Sequence, residues 1–195
     1  MIVSKLIPKA LFSDKSVKSV NNLKDYASIE YIASMNQTHS DVITFVKSSE
    51  VYDSDGIYTE KPKLGLVVQT ADCMPILLSD KKRIGAIHSG WRGLKNNIVE
   101  KAIKKFDVKN LSIAIGPHAQ SCCYEIKEDV KKYFNDCTEL RDGMTFLNMS
   151  QVLKNLSEEE GFQIEISSIC TICSNSYNSY RENKTTRRQF GVIWK

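Results

Sequence analysis

Short apolar runs, each bounded by polar segments, constrain the fold of this chain more than any other feature. Leu64–Thr70, Pro75–Leu78, Arg83–His88 and Leu111–Ile115 have the length and apolar character of strands that are covered on both faces. Gln163–Ser167 alternates apolar and polar residues, which is typical of a strand with one wetter face. The sequence therefore predicts a core that is rich in strands.

Helical patterns occupy three of the other segments. Apolar residues recur at helical spacing over Leu94–Phe106, with charged residues on the opposite face. Glu128–Cys137 and Met149–Glu160 are further helix candidates, and the second has Asn148 as a cap and Gly161 as a stop signal. Strands interleaved with helices predict an α/β fold, here a mixed α+β sandwich.

Length, charge and hydropathy narrow the class of protein. The 195 residues predict a single domain over residues 1–195. The net charge of +4 is modest and the basic clusters are short, so we expect no nucleic-acid partner. We also expect no membrane span and a cytoplasmic location, because long apolar runs and a signal-peptide pattern are missing. In the cytoplasm the six cysteines are free, catalytic or metal-bound. The oligomeric state stays open.

The segment Thr70–Gly93 carries the most chemistry. Cys73 follows one predicted strand and His88 ends another, and their separation by 15 positions allows a hairpin that brings thiol and imidazole together. The alternatives are a small buried cysteine and a structural histidine. Arg92 lies between two glycines, and its guanidinium suits recognition of phosphate or carboxylate.

His39 lies in a polar turn and by spacing alone says little. Together with Cys73 and His88 it makes a set of three ligands of the types that zinc prefers. Three protein ligands with one open position are typical of catalytic rather than structural zinc. A water bound there has its pKa lowered towards about 7.

The other cysteines weigh less in this interpretation. Cys170 and Cys173 form one CxxC pair, but no second pair has zinc-ribbon spacing. Cys122 and Cys123 are adjacent, and adjacent residues seldom ligate the same ion. We therefore disfavour a structural zinc at the CxxC pair.

Five sequence blocks occur in an order that matches a known family. The blocks are QTHSDVI (Gln37–Ile43), TADCMPILL (Thr70–Leu78), AIHSGWRGL (Ala86–Leu94), IGPHAQSCCYEI (Ile115–Ile126) and SYRENKTTRRQ (Ser179–Gln189). From about Met35 onward the chain resembles the YfiH-type proteins, known as multicopper polyphenol oxidases or laccase-domain proteins. The resemblance implies a single α/β domain similar to the catalytic domain of the cytotoxic necrotising toxins. It also implies zinc on His39, Cys73 and His88. Copper is an alternative ion in vitro, because the affinity order of divalent metals favours copper over zinc at many sites.

The resemblance further implies a small-molecule enzyme. Family members are credited with phosphorolysis of adenosine, inosine and methylthioadenosine, and with adenosine deamination. In that reading Cys73 and His88 belong to the catalytic centre and Arg92 clamps phosphate, with Arg181 and Arg188 as helpers in substrate binding. Asp72 transfers a proton or supports the metal ligands from outside the coordination shell. The alternative is that Asp72 only caps the end of a strand.

Two other functions stay open. The first is a metal-free cysteine hydrolase or amidase, acting on peptidoglycan precursors or another amide, with Cys73 as nucleophile and His88 as base. The second is a binding module without catalysis, since the region ALFSDKSVKS lacks the family's Arg-His-Gly-Gly loop and the C-terminal block departs from the family pattern. A true multicopper laccase is disfavoured because three histidines (His39, His88 and His118) are too few for its copper sites.

Overall fold

Fifteen strands and six α-helices make up the described part of the chain. The computed structural model describes residues 1–27 and 29–195, and all side chains within them but those of Asp25, Tyr26 and Asn135. The strands are β1 (Ile2–Val3), β2 (Ala10–Phe12), β3 (Tyr31–Asn36), β4 (Ile43–Phe45), β5 (Val51–Asp53), β6 (Gly56–Thr59), β7 (Leu64–Thr70), β8 (Met74–Ser79), β9 (Ile84–Ser89), β10 (Ser112–Ile115), β11 (Glu125–Ile126), β12 (Thr138–Arg141), β13 (Met144–Leu147), β14 (Gln163–Ile166) and β15 (Gln189–Ile193). The α-helices are α1 (Val20–Ala27), α2 (Trp91–Lys95), α3 (Ile98–Ile103), α4 (Glu128–Lys131), α5 (Met149–Glu160) and α6 (Tyr180–Asn183), with 3₁₀ turns at Val108–Asn110 and Asn135–Cys137.

The strands form two six-stranded sheets and one small sheet. The first has the order β1, β2, β15, β7, β3, β5, and the second has the order β14, β10, β8, β9, β6, β4. Both mix parallel and antiparallel pairs. The small sheet has the order β11, β13, β12.

The two large sheets pack face to face, with helices on their outer faces. Leu66 and Val68 of β7 meet Leu77 of β8 and Ala86 of β9 in one fully buried cluster. Alternate residues point the other way: Val67 packs in the cluster that contains residues of α1, and Ile76 packs in the cluster of α2, α3 and α5. The period of two along each strand thus supplies both apolar faces that a layered core needs.

The structure confirms the mixed, strand-rich architecture and all five predicted strands. The predicted helix at Met149–Glu160 is also confirmed: the Asn148 side chain accepts a hydrogen bond from the Gln151 N–H, and Gly161 takes a left-handed conformation. The similarity to the catalytic domain of the cytotoxic necrotising toxins and the single-domain assignment stay predictions.

Two predicted helices are wrong in extent. The segment Leu94–Phe106 is split between α2 and α3, because Asn97 adopts a left-handed conformation with φ of 60°. Glu128–Cys137 contains only α4, followed by a separate 3₁₀ turn. In both cases short helical segments replace the single long helix that the apolar spacing predicts. Among the described residues, no helix has the length and apolar character that crossing a membrane requires.

Candidate metal centre and substrate cavity

Three segments bring His39, Cys73 and His88 together. His39 follows β3, Cys73 lies where the chain crosses from β7 of one sheet to β8 of the other, and His88 is on β9. Their ligand atoms all lie within 4.8 Å of one another, and the Cys73 Sγ is 3.8 Å from the His39 Nε2. The ring centroids of the two histidines are 4.8 Å apart.

The hairpin of β8 and β9 brings Cys73 close to His88. The strands pair antiparallel, with Pro75 opposite His88, so the residue just before β8 lies near the end of β9. This is the hairpin that the spacing of Cys73 and His88 predicts. The loop of His39 is joined to β7 separately, because the Gln37 amide pairs with both backbone groups of Gln69.

A buried carboxylate that the sequence analysis missed orients both histidines. Asp55 is fully buried and accepts a hydrogen bond of 2.7 Å from the His88 Nδ1. This bond engages one ring nitrogen of His88 and leaves the other as the nitrogen that could bind a metal, which is the usual arrangement of a metal-binding histidine. Burial raises the pKa of the Asp55 carboxyl, but bonds from His88 and Ser40 outweigh it and hold that pKa well below its usual range.

The same carboxylate holds the loop of His39. The backbone N–H groups of Thr38, His39 and Ser40 donate to Asp55 over 3.1, 3.1 and 2.6 Å. His39 has a φ of 62°, a left-handed conformation that a side-chain-bearing residue adopts only when its surroundings hold it there. Asp55 therefore positions one ligand through its ring and the other through its backbone.

The environment of Cys73 favours the thiolate. Burial raises the pKa of the Cys73 thiol, but hydrogen bonds with His39 and His88 lower it overall to about 6. Burial likewise lowers the pKa of His88, while Asp55 and Cys73 raise it overall to about 9. The thiolate is the form of cysteine that binds a metal and the form that acts as a nucleophile.

Space beside the thiol depends on Gly90. A Cβ added at Gly90 would lie 2.7 Å from the Cys73 Sγ, a distance that forces the sulfur to move. The position has an ordinary φ of −96°, so the requirement for glycine comes from the neighbouring sulfur and not from backbone strain.

We expect Gly90→Ala to weaken zinc binding by about tenfold or more while the chain stays folded, because it displaces one ligand. Competition for zinc with a chromophoric chelator measures the affinity. Denaturation of the chelated protein serves as the control and should give nearly the wild-type midpoint. Unchanged zinc affinity would contradict this assignment of Gly90.

The donor set fits a catalytic zinc ion. Two imidazoles and one thiolate are ligands that zinc prefers, and a fourth position facing a cavity suits a bound water or substrate. His39, Cys73 and His88 all line that cavity. The same donors also bind copper.

The cavity next to these ligands has a volume of about 680 Å³, within the range of small-molecule sites. Four cationic and three aromatic side chains are among those that line it. The cationic residues are Arg92, Arg181, Lys184 and Arg188, and the aromatic residues are Trp91, Tyr124 and Tyr180.

The structure places every predicted site residue at this cavity. Arg92 stacks on the Trp91 ring at 4.4 Å, and Arg181 lies 5.1 Å from the centroid of the Tyr124 ring. Arg188 lines the cavity while it donates to two backbone carbonyls. Lys184 and Tyr124 were missed, since a lone lysine and a lone tyrosine carry no spacing signal.

Asp72 is held by two neighbours from distant segments. Its carboxylate accepts a hydrogen bond of 2.8 Å from the Thr171 hydroxyl and another of 2.6 Å from the Arg181 backbone N–H. Asp72 has a φ of 86° and is buried. This geometry is that of a residue that positions the cavity wall next to Cys73.

The remaining histidine is structural. His118 is fully buried, with its ring nitrogens 2.9 Å from the Gly116 carbonyl and the Ser150 hydroxyl. Burial lowers the pKa of His118 to about 4, so the ring is neutral at physiological pH.

The fold brings together two cysteine pairs that lie far apart in the sequence. The sulfurs of Cys122, Cys123, Cys170 and Cys173 all lie within 4.8 Å of one another. Spacing along the chain gives no sign of this cluster, because the fold brings an adjacent pair and a CxxC pair together across about fifty residues.

Comparison with known proteins gives a consistent set of matches. Residues 14–195 match the family model described as multi-copper polyphenol oxidoreductase laccase. A purine nucleoside phosphorylase of Clostridium acetobutylicum is 35% identical over 195 residues, covering 91% of this chain and 82% of that protein. A purine nucleoside phosphorylase of Aquifex aeolicus is 35% identical over 163 residues, covering 80% and 79%.

The crystal structure of YlmD from Geobacillus stearothermophilus has a similar fold. It superposes with a TM-score of 0.87 over 98% of this chain and 94% of that chain, at 19% sequence identity. At this identity the similarity concerns the fold alone.

Proposed function

This chain belongs to the multi-copper polyphenol oxidoreductase laccase family, and we propose that it is a zinc-dependent purine nucleoside phosphorylase. The observation that carries the proposal is a single cavity lined by the three ligands, four cationic side chains and three aromatic rings. Two relatives that are 35% identical bear the name purine nucleoside phosphorylase. The substrates we propose are adenosine, inosine and methylthioadenosine, together with phosphate.

We assign the arginines of the cavity to phosphate binding and its aromatic side chains to binding of the purine base. Guanidinium groups bind phosphate oxygens in a two-pronged geometry, and Arg92, Arg181 and Arg188 offer three of them. Flat aromatic rings such as Trp91 pack against a purine. Tyr124 stays protonated, because burial raises the pKa of its hydroxyl to about 12, and so it can donate a hydrogen bond to the leaving base.

The reaction exchanges one bond for another. A phosphate oxygen bonds to C1′ of the ribose, the glycosidic bond from C1′ to the base nitrogen breaks, and its electron pair leaves with the base, which takes up a proton. A zinc ion on His39, Cys73 and His88 would supply a Lewis acid and would lower the pKa of a bound water. The same water chemistry supports the adenosine deamination that we propose as a side activity.

A product assay tests the proposal. Purified protein is incubated with each nucleoside with and without phosphate, and free base and ribose 1-phosphate are separated by chromatography. We expect free base only when phosphate is present, and inosine from adenosine as a slower product. No product from any nucleoside, with zinc bound, would refute the phosphorylase and would favour the binding module.

We expect Arg92→Ala to raise the KM for phosphate by about tenfold or more, because a hydrogen bond to a charged group contributes about 1.5–3 kcal/mol. Initial rates at varied phosphate measure the change. Arg187→Ala is the matched control, since Arg187 is exposed and does not line the cavity of the three ligands. Equal KM values for both variants would remove Arg92 from phosphate binding.

A second function has a specific observation in its favour. Asp55 lies 2.7 Å from His88, and the ligand atoms of His88 and Cys73 lie within 4.8 Å of each other. The three residues could serve as orienting acid, base and nucleophile, the arrangement of a cysteine hydrolase. A metal-free amidase would be alkylated at Cys73 with loss of amide hydrolysis. Zinc on Cys73 would instead protect the thiol from alkylation.

A further inference from the structure

Four cysteines outside the cavity lining have the geometry of a closed metal site. Cys122 and Cys123 belong to one turn, and Cys170 and Cys173 begin and end another. All four sulfurs lie within 4.8 Å of one another, and the sulfurs of Cys122 and Cys173 are 3.9 Å apart. A tetrahedral zinc with Zn–S bonds of about 2.3 Å requires sulfurs about 3.8 Å apart.

Backbone N–H groups surround the sulfur of Cys170. The N–H of Gln120 donates to its sulfur at 3.5 Å, and the N–H groups of Ile172 and Cys173 also bond to it. The Arg141 guanidinium bonds the Ser121 carbonyl, next to Cys122, and brings a positive charge to the same turn.

We propose that Cys122, Cys123, Cys170 and Cys173 bind one zinc ion as a structural site, separate from the catalytic centre. Four thiols release four protons and coordinate one Zn²⁺, so the site carries two net negative charges and involves no redox step. Four sulfurs complete the zinc shell and leave no open position, which is the pattern of structural rather than catalytic zinc. The proposal is independent of which reaction the cavity performs.

The site would fix two segments that build the cavity. Tyr124 follows Cys123 directly and lines the cavity. Thr171 lies inside the CxxC turn and donates to Asp72, the residue before Cys73. The two segments also meet at a β-bridge between His118 and Cys170. Metal bound by the four sulfurs would therefore hold Thr171 and Tyr124 in place without touching substrate.

The metal content of the full chain tests the proposal. After reconstitution with zinc chloride and removal of excess ion, we expect two zinc ions per wild-type chain. Cys122→Ser/Cys173→Ser should retain one, and His39→Ala/Cys73→Ser should also retain one. Cys137→Ala is the matched control and should retain two, because Cys137 lies outside both groups.

Cobalt identifies the ligands. In His39→Ala/Cys73→Ser loaded with Co²⁺, we expect intense thiolate-to-cobalt charge transfer and the visible bands of a tetrahedral four-sulfur site. Adding Cys122→Ser and Cys173→Ser should abolish these bands. Bands that persist, or an octahedral spectrum in the first variant, would overturn the proposal.

Alkylation of the wild-type protein covers the case in which the serine variants do not fold. Native protein is treated with N-ethylmaleimide with and without zinc, and modified cysteines are identified by mass spectrometry. We expect zinc to protect all four cysteines. Labelling of Cys122 and Cys173 that zinc does not change, or a disulfide between them in zinc-treated protein, would overturn the proposal.

Discussion

Replacing Cys73 with alanine is expected to abolish phosphorolysis and to remove one zinc ion from each chain. The thiolate is one of the three ligands. Removing a residue that hydrogen-bonds to a metal ligand already lowers affinity or activity by about 10–100-fold. Removing the ligand itself should therefore lower them by more than about 100-fold. Elemental analysis and the phosphate-dependent release of free base measure the two effects on the same preparation.

The loss must be specific to this thiol. Cys137→Ala removes a buried cysteine from the core cluster, away from the cavity, and should keep both metal and activity. Circular dichroism should show that both variants are folded. Full turnover by Cys73→Ala would end the proposal of a catalytic zinc at His39, Cys73 and His88.

Replacing Asp55 with asparagine is expected to weaken both the metal centre and the fold. The change keeps the shape of the side chain but removes the charge that accepts from His88 and from three backbone N–H groups. Breaking a buried pair by removing one partner costs about 3–5 kcal/mol, and loss of a partner behind a metal ligand costs about 10–100-fold in affinity. Urea denaturation of the chelated protein measures the first effect, and zinc competition measures the second.

The neighbouring Asp53 offers a matched comparison. It is exposed and accepts a single bond from Asn36, so Asp53→Asn should change stability by no more than about 0.5 kcal/mol and leave zinc affinity as it is. Equal effects of the two substitutions would show that Asp55 has no special role.

The strands and the family were predictable because their signals are local. Bounded apolar runs mark β7 to β10 directly, and the match over residues 14–195 confirms the family predicted from five sequence blocks. The pairing of β8 with β9 follows from the short connection between them, which joins neighbouring strands in the same sheet. The proximity of Cys73 to His88 could therefore be predicted from the sequence.

Features that depend on long-range contacts were not predictable. Asp55 lies 33 residues from His88, and nothing in its neighbourhood marks a buried acceptor. The four-cysteine group joins positions 51 residues apart, which spacing rules for metal ligands do not cover. The break at Asn97 was not predictable for a different reason. The helical spacing of apolar residues continues across α2 and α3, although the left-handed conformation of Asn97 interrupts the helix.

The position of β15 sets an order of events during folding. This strand follows all other described strands in sequence, yet it lies between β2 and β7, with Gly191 opposite Phe12. Contacts of such long range form slowly, because a large loop must close first. His39, Cys73 and His88 need only the first ninety or so residues, whereas Arg188 reaches the cavity when β15 docks. A nascent chain can thus bring its metal ligands and Arg92 together before Arg188 completes the cationic lining of the cavity.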